Sequence, residues 1–339
     1  MRRDFSKHIG PVRQARIKVA ADESPAVYHC VTRTVNGERL FDDPAKEVLR
    51  KQLWQVADYC GVEIITYTIL ENHFHVQVRV PQREPLSDAE LLRRFQVLYP
   101  RPTPRQMARI EVLGAELARN CPEAAVWRRR QLALMNDVSQ FMKLLKQRFS
   151  IWFNKAHRRF GTLWAERFKS VLVESQDRIL QILGVYIDLN SVRAGLISDP
   201  KDYRFCGYAE AVAGNSRAQL GIQSIIGAGD WAGAQCAYRE LIFGTGSGPR
   251  DAAGVIHPAD LRQVIETGGR LPLASVLRCR LRYFSDGVVL GSRAFVALQL
   301  AKHRSRMTPD RQREPQPLPT CADWNDLFTM SRLKRDTLF

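Results

Sequence analysis

Residues 66–80 read TYTILENHFHVQVRV, and the fold of the chain turns on how this stretch is read. Two runs rich in β-branched and aromatic residues flank Glu71-Asn72, a short polar junction that suits a hairpin. Side chains alternate along a strand, so His73 and His75 share one face while Phe74 and Val76 share the other. Two imidazoles side by side can grip one metal ion. In the plainer alternative His73 sits in the turn and His75 is an ordinary polar residue on a solvated face. With seven histidines in 339 residues, a His-x-His pair should arise by chance only about 0.15 times, which favours the metal reading. No closely spaced cysteine pair exists to build a zinc finger, so any ion needs other ligands.

Working outward, AVYHCVTRTV at 26–35 has strand character and runs into an Asn36-Gly37 turn. DDPAKEVLRKQLWQVADYCG then reads as a helix, with Pro44 at its start and Gly61 at its end. Beyond the hairpin, prolines at 81, 85, 100, 102, 104 and 122 and the run WRRR mark an insertion of short helices over about 82–130. A long helix follows, capped by Asn136 or Asp137 and stopped by Gly161. TLWAERFKSVLVES alternates as a strand, and QDRILQILGVYIDLNSVRAG reads as a helix ending at Gly195. The order βαββ, insertion, αβα predicts an α+β sandwich, an antiparallel sheet with helices packed on one face. From about 215 the chain turns helical. Two helical patterns flank Ser285-Asp286-Gly287, as in a helix-turn-helix, and residues 303–320 resemble a loose linker or tail.

Lys and Arg number 51 against 35 Asp and Glu, a net charge of +16. Nucleic acid is the commonest partner for such a field, because neutralised phosphates release condensed counterions. The basic arm 1–24 lacks the apolar core of a signal peptide, and no run of eighteen uncharged apolar residues occurs, so the expectation is a cytoplasmic, nucleoid-associated protein without a membrane span. Cysteines 30, 60, 121, 206, 236, 279 and 321 fit neither a disulfide framework nor a metal knuckle and read as reduced thiols, mostly buried.

The helix over 176–193 places Ile179, Ile182, Leu183, Tyr186, Leu189, Asn190 and Arg193 on one broad face toward the sheet. Tyr186 and Asn190 lie one turn apart and reach a common point; read blandly, they are a core aromatic and a polar residue near the helix stop. Gly184 in mid-helix implies close backbone packing.

These motifs together carry a resemblance. ENHFHV looks like the histidine-hydrophobic-histidine signature of HUH endonucleases. YHCVTRTVNGERLF, FNKAHRRFGTLWAERFKSVLVES and YIDLNSVRAGLISDPKDYRFCGY are similar to segments of the REP-associated tyrosine transposases, the single-tyrosine branch of that superfamily. The likeness spans roughly 27–208, interrupted by the insertion, and RYFSDGVVLGSRAFV resembles an extension of some members.

The resemblance implies a ferredoxin-like catalytic domain over 25–213, a helical C-terminal extension over 214–302 and a tail over 303–339. It further implies a divalent metal, Mg²⁺ or Mn²⁺, and nicking and rejoining of single-stranded DNA at short palindromic, hairpin-forming repeats through a covalent 5′-phosphotyrosine. On the family's pattern Tyr186 is the nucleophile, with Tyr67 its main competitor. His73 and His75 hold the metal, and Asn190 is the third ligand through its amide oxygen. Arg158, Arg159, Arg167 and Lys169 are the candidate DNA contacts, while Arg193 either holds a phosphate or caps its helix. Trp152, Phe153, Phe160, Trp164 and Phe168 interleave with these cations but are explained mostly as core. Two rival readings are another HUH nickase, a replication initiator or relaxase, and a DNA-binding protein that has lost catalysis. The implied assembly is a monomer or homodimer.

Overall fold

The computed structural model describes residues 16–20, 23, 25–244, 263, 266, 267, 269–304, 314–319, 322–324 and 326–330. Most of the basic arm and of the segment 303–339, Cys321 included, lies outside them.

Six elements build the core: β1 (Ala26–Arg33), α1 (Asp43–Cys60), β2 (Glu63–Ile69), β3 (His73–Val80), α5 (Val138–Ala156) and β4 (Lys169–Val173). Their strands lie in the order β2-β3-β1-β4, every pair antiparallel. This is the ferredoxin-like order. β1 sits in the middle and pairs with β3 along its whole length, from Ala26↔Val80 to Arg33↔His73. α1 begins where Asp42 accepts from the Ala45 amide at 2.8 Å and ends at Gly61, whose φ of 63° a side chain would resist. Asp137 caps α5 by accepting from Ser139 and Gln140.

The expectation that helices occupy one face holds for α1 and α5 and needs correction for the next helix. Trp54 of α1 meets Tyr67 of β2 edge to face at 6.4 Å. Phe149 of α5 packs on Phe41 at 5.3 Å, and Trp164 joins them to Phe74 of β3 at 6.0 Å. α6 (Asp177–Asp188) crosses the opposite face. There Thr68 Oγ1 donates to the Ile187 carbonyl at 2.8 Å, and Thr66 Oγ1 bonds the Asp188 carboxylate at 2.9 Å. The alternation of β2 and β3 explains this second layer: the face opposite Phe74 and Val76 carries Thr66, Thr68, His73, His75 and Gln77, polar groups that need buried partners. Leu189 separates α6 from α7 (Asn190–Arg193), and Gly195 closes the segment at φ 69°, as read. The strand read at 162–175 is shorter, with Trp164 making only a single bridge to Thr34.

The insertion is helical: α2 (Asp88–Val97), α3 (Pro104–Ala118) and α4 (Pro122–Leu132), tied together by the Asp88–Arg128 ion pair. After α6 and α7 come α8 (Gly207–Val212), α9 (Ser216–Ile226) and α10 (Trp231–Phe243). α9 closes the outer edge of β2. Its Gly221 approaches so near that a Cβ there would lie 2.2 Å from the Ile65 carbonyl oxygen.

The segment around Ser285 is not a helix-turn-helix. α11 (Leu273–Leu277) and α12 (Tyr283–Asp286) are single turns, and the run after Gly287 forms β5 (Val289–Gly291), parallel to β4. The free edge of β4 offers unpaired backbone groups, and the β-branched pair Val288-Val289 fills it, with the Leu172 amide donating to the Val288 carbonyl at 2.9 Å. α13 (Arg293–His303) follows. Beyond it β6 (Gln316–Pro317) and β7 (Phe328–Thr329) extend the sheet to β2-β3-β1-β4-β5-β7-β6. Within 303–339, read as a loose tail, the described residues 316–317 and 328–329 are therefore sheet edge. Among the described residues no helix is long and apolar enough to cross a membrane. The six described cysteines are free thiols, with Cys30, Cys60, Cys206 and Cys279 buried and Cys236 exposed.

Candidate active site

The register of β1 against β3 puts Arg33 opposite His73, Val31 opposite His75 and His29 opposite Gln77. All six share the face that α6 covers. The rings of His73 and His75 stand 5.2 Å apart, so one small ion can touch both. His73 Nδ1 donates to Asn72 Oδ1 at 2.6 Å. Asn72 Nδ2 donates in turn to the Gly37 carbonyl at 2.9 Å, which fixes the orientation of the amide. His75 Nδ1 is engaged with His29 Nε2 at 2.9 Å, and His29 Nδ1 lies 2.6 Å from the Phe284 carbonyl oxygen. In both His73 and His75 the nitrogen left for a ligand is Nε2.

Burial, followed by the positive charges of Arg33, Arg280 and Arg193, lowers the His73 pKa to about 3. Burial also lowers His29 to about 4 and holds His75 well below the usual range, where His29 and His73 add to the effect. At neutral pH these imidazoles are lone-pair donors rather than cations.

Tyr186 arrives from α6. Its ring centroid is 6.3 Å from that of His75 and 6.5 Å from that of His29. Phe284 packs edge to face on it at 4.7 Å, and the Arg193 guanidinium stacks over it at 4.1 Å. The ring is only 2% exposed, yet it lines a cavity of about 340 Å³ together with His73, His75 and Asn190. Asn190 Nδ2 donates to the Tyr186 and Ile187 carbonyls at 3.2 and 2.9 Å, leaving Oδ1 as its free acceptor. Among the described residues no group of three His, Cys, Asp or Glu is placed to hold a metal. The available donor set is two neutral imidazoles and one amide oxygen, which fits a hard or borderline divalent ion completed by water or phosphate.

The cavity also collects Arg33, Arg167, Lys169, Arg193 and Arg280, five cations against Glu166 and Asp286. Lys169 pairs with Asp286 at 2.9 Å. Arg193 donates to the Tyr186 and Leu277 carbonyls, both at 2.6 Å, so its helix-capping role is the one observed. Arg158 and Arg159 do not line the cavity; Arg159 pairs with Glu38 at 3.7 Å. Tyr67 is directed elsewhere, its hydroxyl donating to Glu210 at 2.5 Å across the α1 side of the sheet. Of the aromatics read as core, Phe153, Trp164 and Phe168 are buried and Trp152 half-buried, but Phe160 is 95% exposed.

His29, Asn72, Arg33 and Arg280 were not singled out from the sequence. His29 carries a signal in retrospect: Val27, His29, Val31 and Arg33 alternate onto one face of their strand. Only the pairing with β3 shows that this face is the one bearing His73 and His75.

Residues 23–91 match the family model described as "Transposase IS200 like", which bears out the family resemblance over that part of the chain. Among solved structures, a REP-associated tyrosine transposase bound to a REP hairpin aligns with 13% identity and a TM-score of 0.33, covering 61% of this chain and 87% of that one. No curated protein matches.

Proposed function

We propose that the chain is a metal-dependent transposase of the single-tyrosine HUH type, nicking and rejoining single-stranded DNA at hairpin-forming repeats in the cytoplasm. One observation carries this reading: Tyr186 from α6 and the His73-His75 pair from β3 open onto the same cation-lined cavity. The sequence motifs and the family match over 23–91 support it, and the hairpin substrate rests on the motif resemblance.

In this reading Arg33, Arg167 and Arg280 hold the DNA backbone against the cavity, and Tyr186 Oη attacks the scissile phosphorus. The phenolic proton leaves to water in the cavity. The P–O3′ bond breaks, giving a free 3′-hydroxyl and a 5′-phosphotyrosine. Attack by a 3′-hydroxyl reverses the exchange, releases the tyrosine and needs no ATP, because the ester linkage is conserved. His73 and His75 through Nε2 and Asn190 through Oδ1 would hold Mg²⁺ or Mn²⁺, which when bound supplies polarisation of the phosphate and offsets charge on the leaving oxygen. Arg193, stacked over the Tyr186 ring, and Phe284, edge to face with it, restrict its motion.

The test is incubation with end-labelled hairpin DNA bearing a single-stranded flank, in Mg²⁺ or Mn²⁺, read on a denaturing gel. Wild type forms a protein–DNA adduct and Tyr186→Phe forms none. An adduct at wild-type level in Tyr186→Phe refutes the assignment. Binding without adduct by the wild type under every condition supports the non-catalytic DNA-binding reading instead.

A further inference from the structure

We propose that His29 is a positioning residue through which the backbone of the C-terminal segment sets the tautomer of His75, and with it the nitrogen offered to the metal. The inference rests on the metal-site reading above and goes beyond it, since it gives a role to a histidine outside the ligand set and to a segment far along the chain.

The direction of the hydrogen bonds follows from the last acceptor. The Phe284 carbonyl oxygen can only accept, so His29 Nδ1, 2.6 Å away, carries a hydrogen. His29 is 0% exposed, and among the described residues its hydrogen-bonding neighbours are this carbonyl and His75. An imidazolium there would have no counter-ion, so His29 holds a single ring proton, and its Nε2 is a bare lone pair. That lone pair lies 2.9 Å from His75 Nδ1, and with ring centroids 5.1 Å apart and near-parallel planes the N···N line runs along both rings rather than between stacked faces. His75 Nδ1–H therefore donates to His29 Nε2. The second nitrogen of His75, Nε2, is left unprotonated toward the cavity. Free imidazole side chains favour the opposite tautomer, with the proton on Nε2, so the chain Phe284 O, His29, His75 imposes the form that a metal needs.

The anchoring carbonyl belongs to α12, which is fixed by its own contacts to the core. Phe284 packs on Tyr186, Lys169 bonds Asp286, and β5 just beyond pairs with β4. The C-terminal segment thus bears on both halves of the site, on the ring of Tyr186 directly by its side chain and on His75 through the bond of its backbone to His29.

The test uses the full chain with ¹⁵N-labelled histidine and long-range ¹H–¹⁵N spectra without metal, His75 being assigned from the signal lost in His75→Asn. The expected result is a protonated Nδ1 and a bare Nε2 at His75 in the wild type, with reversal to the Nε2–H form in His29→Leu. His29→Gln, whose amide can accept from His75 and donate to Phe284, should keep the wild-type tautomer. Mn²⁺ titration read by the free-ion paramagnetic signal should weaken by about ten- to a hundredfold in His29→Leu and stay within about threefold in His29→Gln. An Nε2–H tautomer at His75 in the wild type overturns the proposal. So does a His29→Leu protein that keeps both the tautomer and the Mn²⁺ affinity. If His29→Leu does not fold, the wild-type spectrum and His29→Gln decide the matter. A wild type with the expected tautomer that binds no Mn²⁺ refutes the metal reading and leaves the positioning role standing.

Discussion

Asp188, two residues past Tyr186, is a carboxylate with no cation against it among the described residues. Thr66 Oγ1 bonds both its oxygens at 2.9 and 3.0 Å, the Tyr238 hydroxyl donates at 2.6 Å and the Tyr208 amide at 3.4 Å. Burial pushes its pKa up to about 7 from 3.8, the hydrogen bonds only partly opposing the shift. The sign of the consequence is fixed by linkage. Between those two values the folded chain keeps a proton that the unfolded chain has released, so stability contributed by Asp188 falls as pH rises through that window. The full effect is roughly 4 kcal/mol at 1.36 kcal/mol per pH unit. Urea unfolding of wild type and Asp188→Asn at pH 4, 5.5 and 7.5 isolates it: the variant should gain on the wild type as pH rises, by up to that amount. Parallel pH profiles would show that the carboxylate is not the group being titrated.

Among elements, α9 matters out of proportion to its size because it covers the outer edge of β2, which otherwise presents unpaired backbone. The fit depends on Gly221, where an added Cβ would meet the Ile65 carbonyl at 2.2 Å and the Ile64 carbonyl at 3.0 Å. These are backbone atoms of a paired strand and cannot step aside. Gly221→Ala should therefore cost roughly 1–3 kcal/mol in urea unfolding, whereas Gly229→Ala, with nothing near the built Cβ, serves as the control and should change little. A Gly221→Ala midpoint equal to the control's would mean that α9 is not held against that edge. Gly184 in α6 is the milder case: its Cβ position lies 2.6 Å from Ile225 Cδ1, the end of a side chain that can shift, so neighbours pack closely on the helix there without the backbone clash of Gly221. The element misread most plainly is β5. Its three residues look helical beside the amphipathic pattern that follows, and only the vacant edge of β4 makes them a strand.

For the whole molecule, the surplus of sixteen positive charges is spread widely, but five cations converge on one cavity. Single-stranded DNA seated there should show a slope of log K against log salt of about −2 to −4, since each neutralised phosphate contributes about −0.7. Fluorescence anisotropy with a labelled oligonucleotide between about 50 and 300 mM salt measures it. Arg167→Ala should lower the magnitude of the slope by about 0.7 without abolishing binding. An unchanged slope places the DNA away from this cavity.

By itself the sequence determined the elements whose signals are local. Alternation and a polar junction gave the hairpin and placed His73 and His75 on one face; caps set the starts of α1 and α5 and Gly61 the end of α1, whereas α5 stops at Ala156, short of the Gly161 read as its end; periodicity put Tyr186 of α6 and Asn190 and Arg193 of α7 on the inward side. These survive because propensity, capping and side-chain period act within a few residues. What tertiary structure alone decided is everything that depends on which face meets which. The second helical layer, the joining of β5 to the edge of β4, and the pairing of His29 with His75 and Phe284 each require contacts between segments 46 to 255 positions apart. No local pattern encodes such a meeting, because a buried donor acquires its partner only when the chain closes around it.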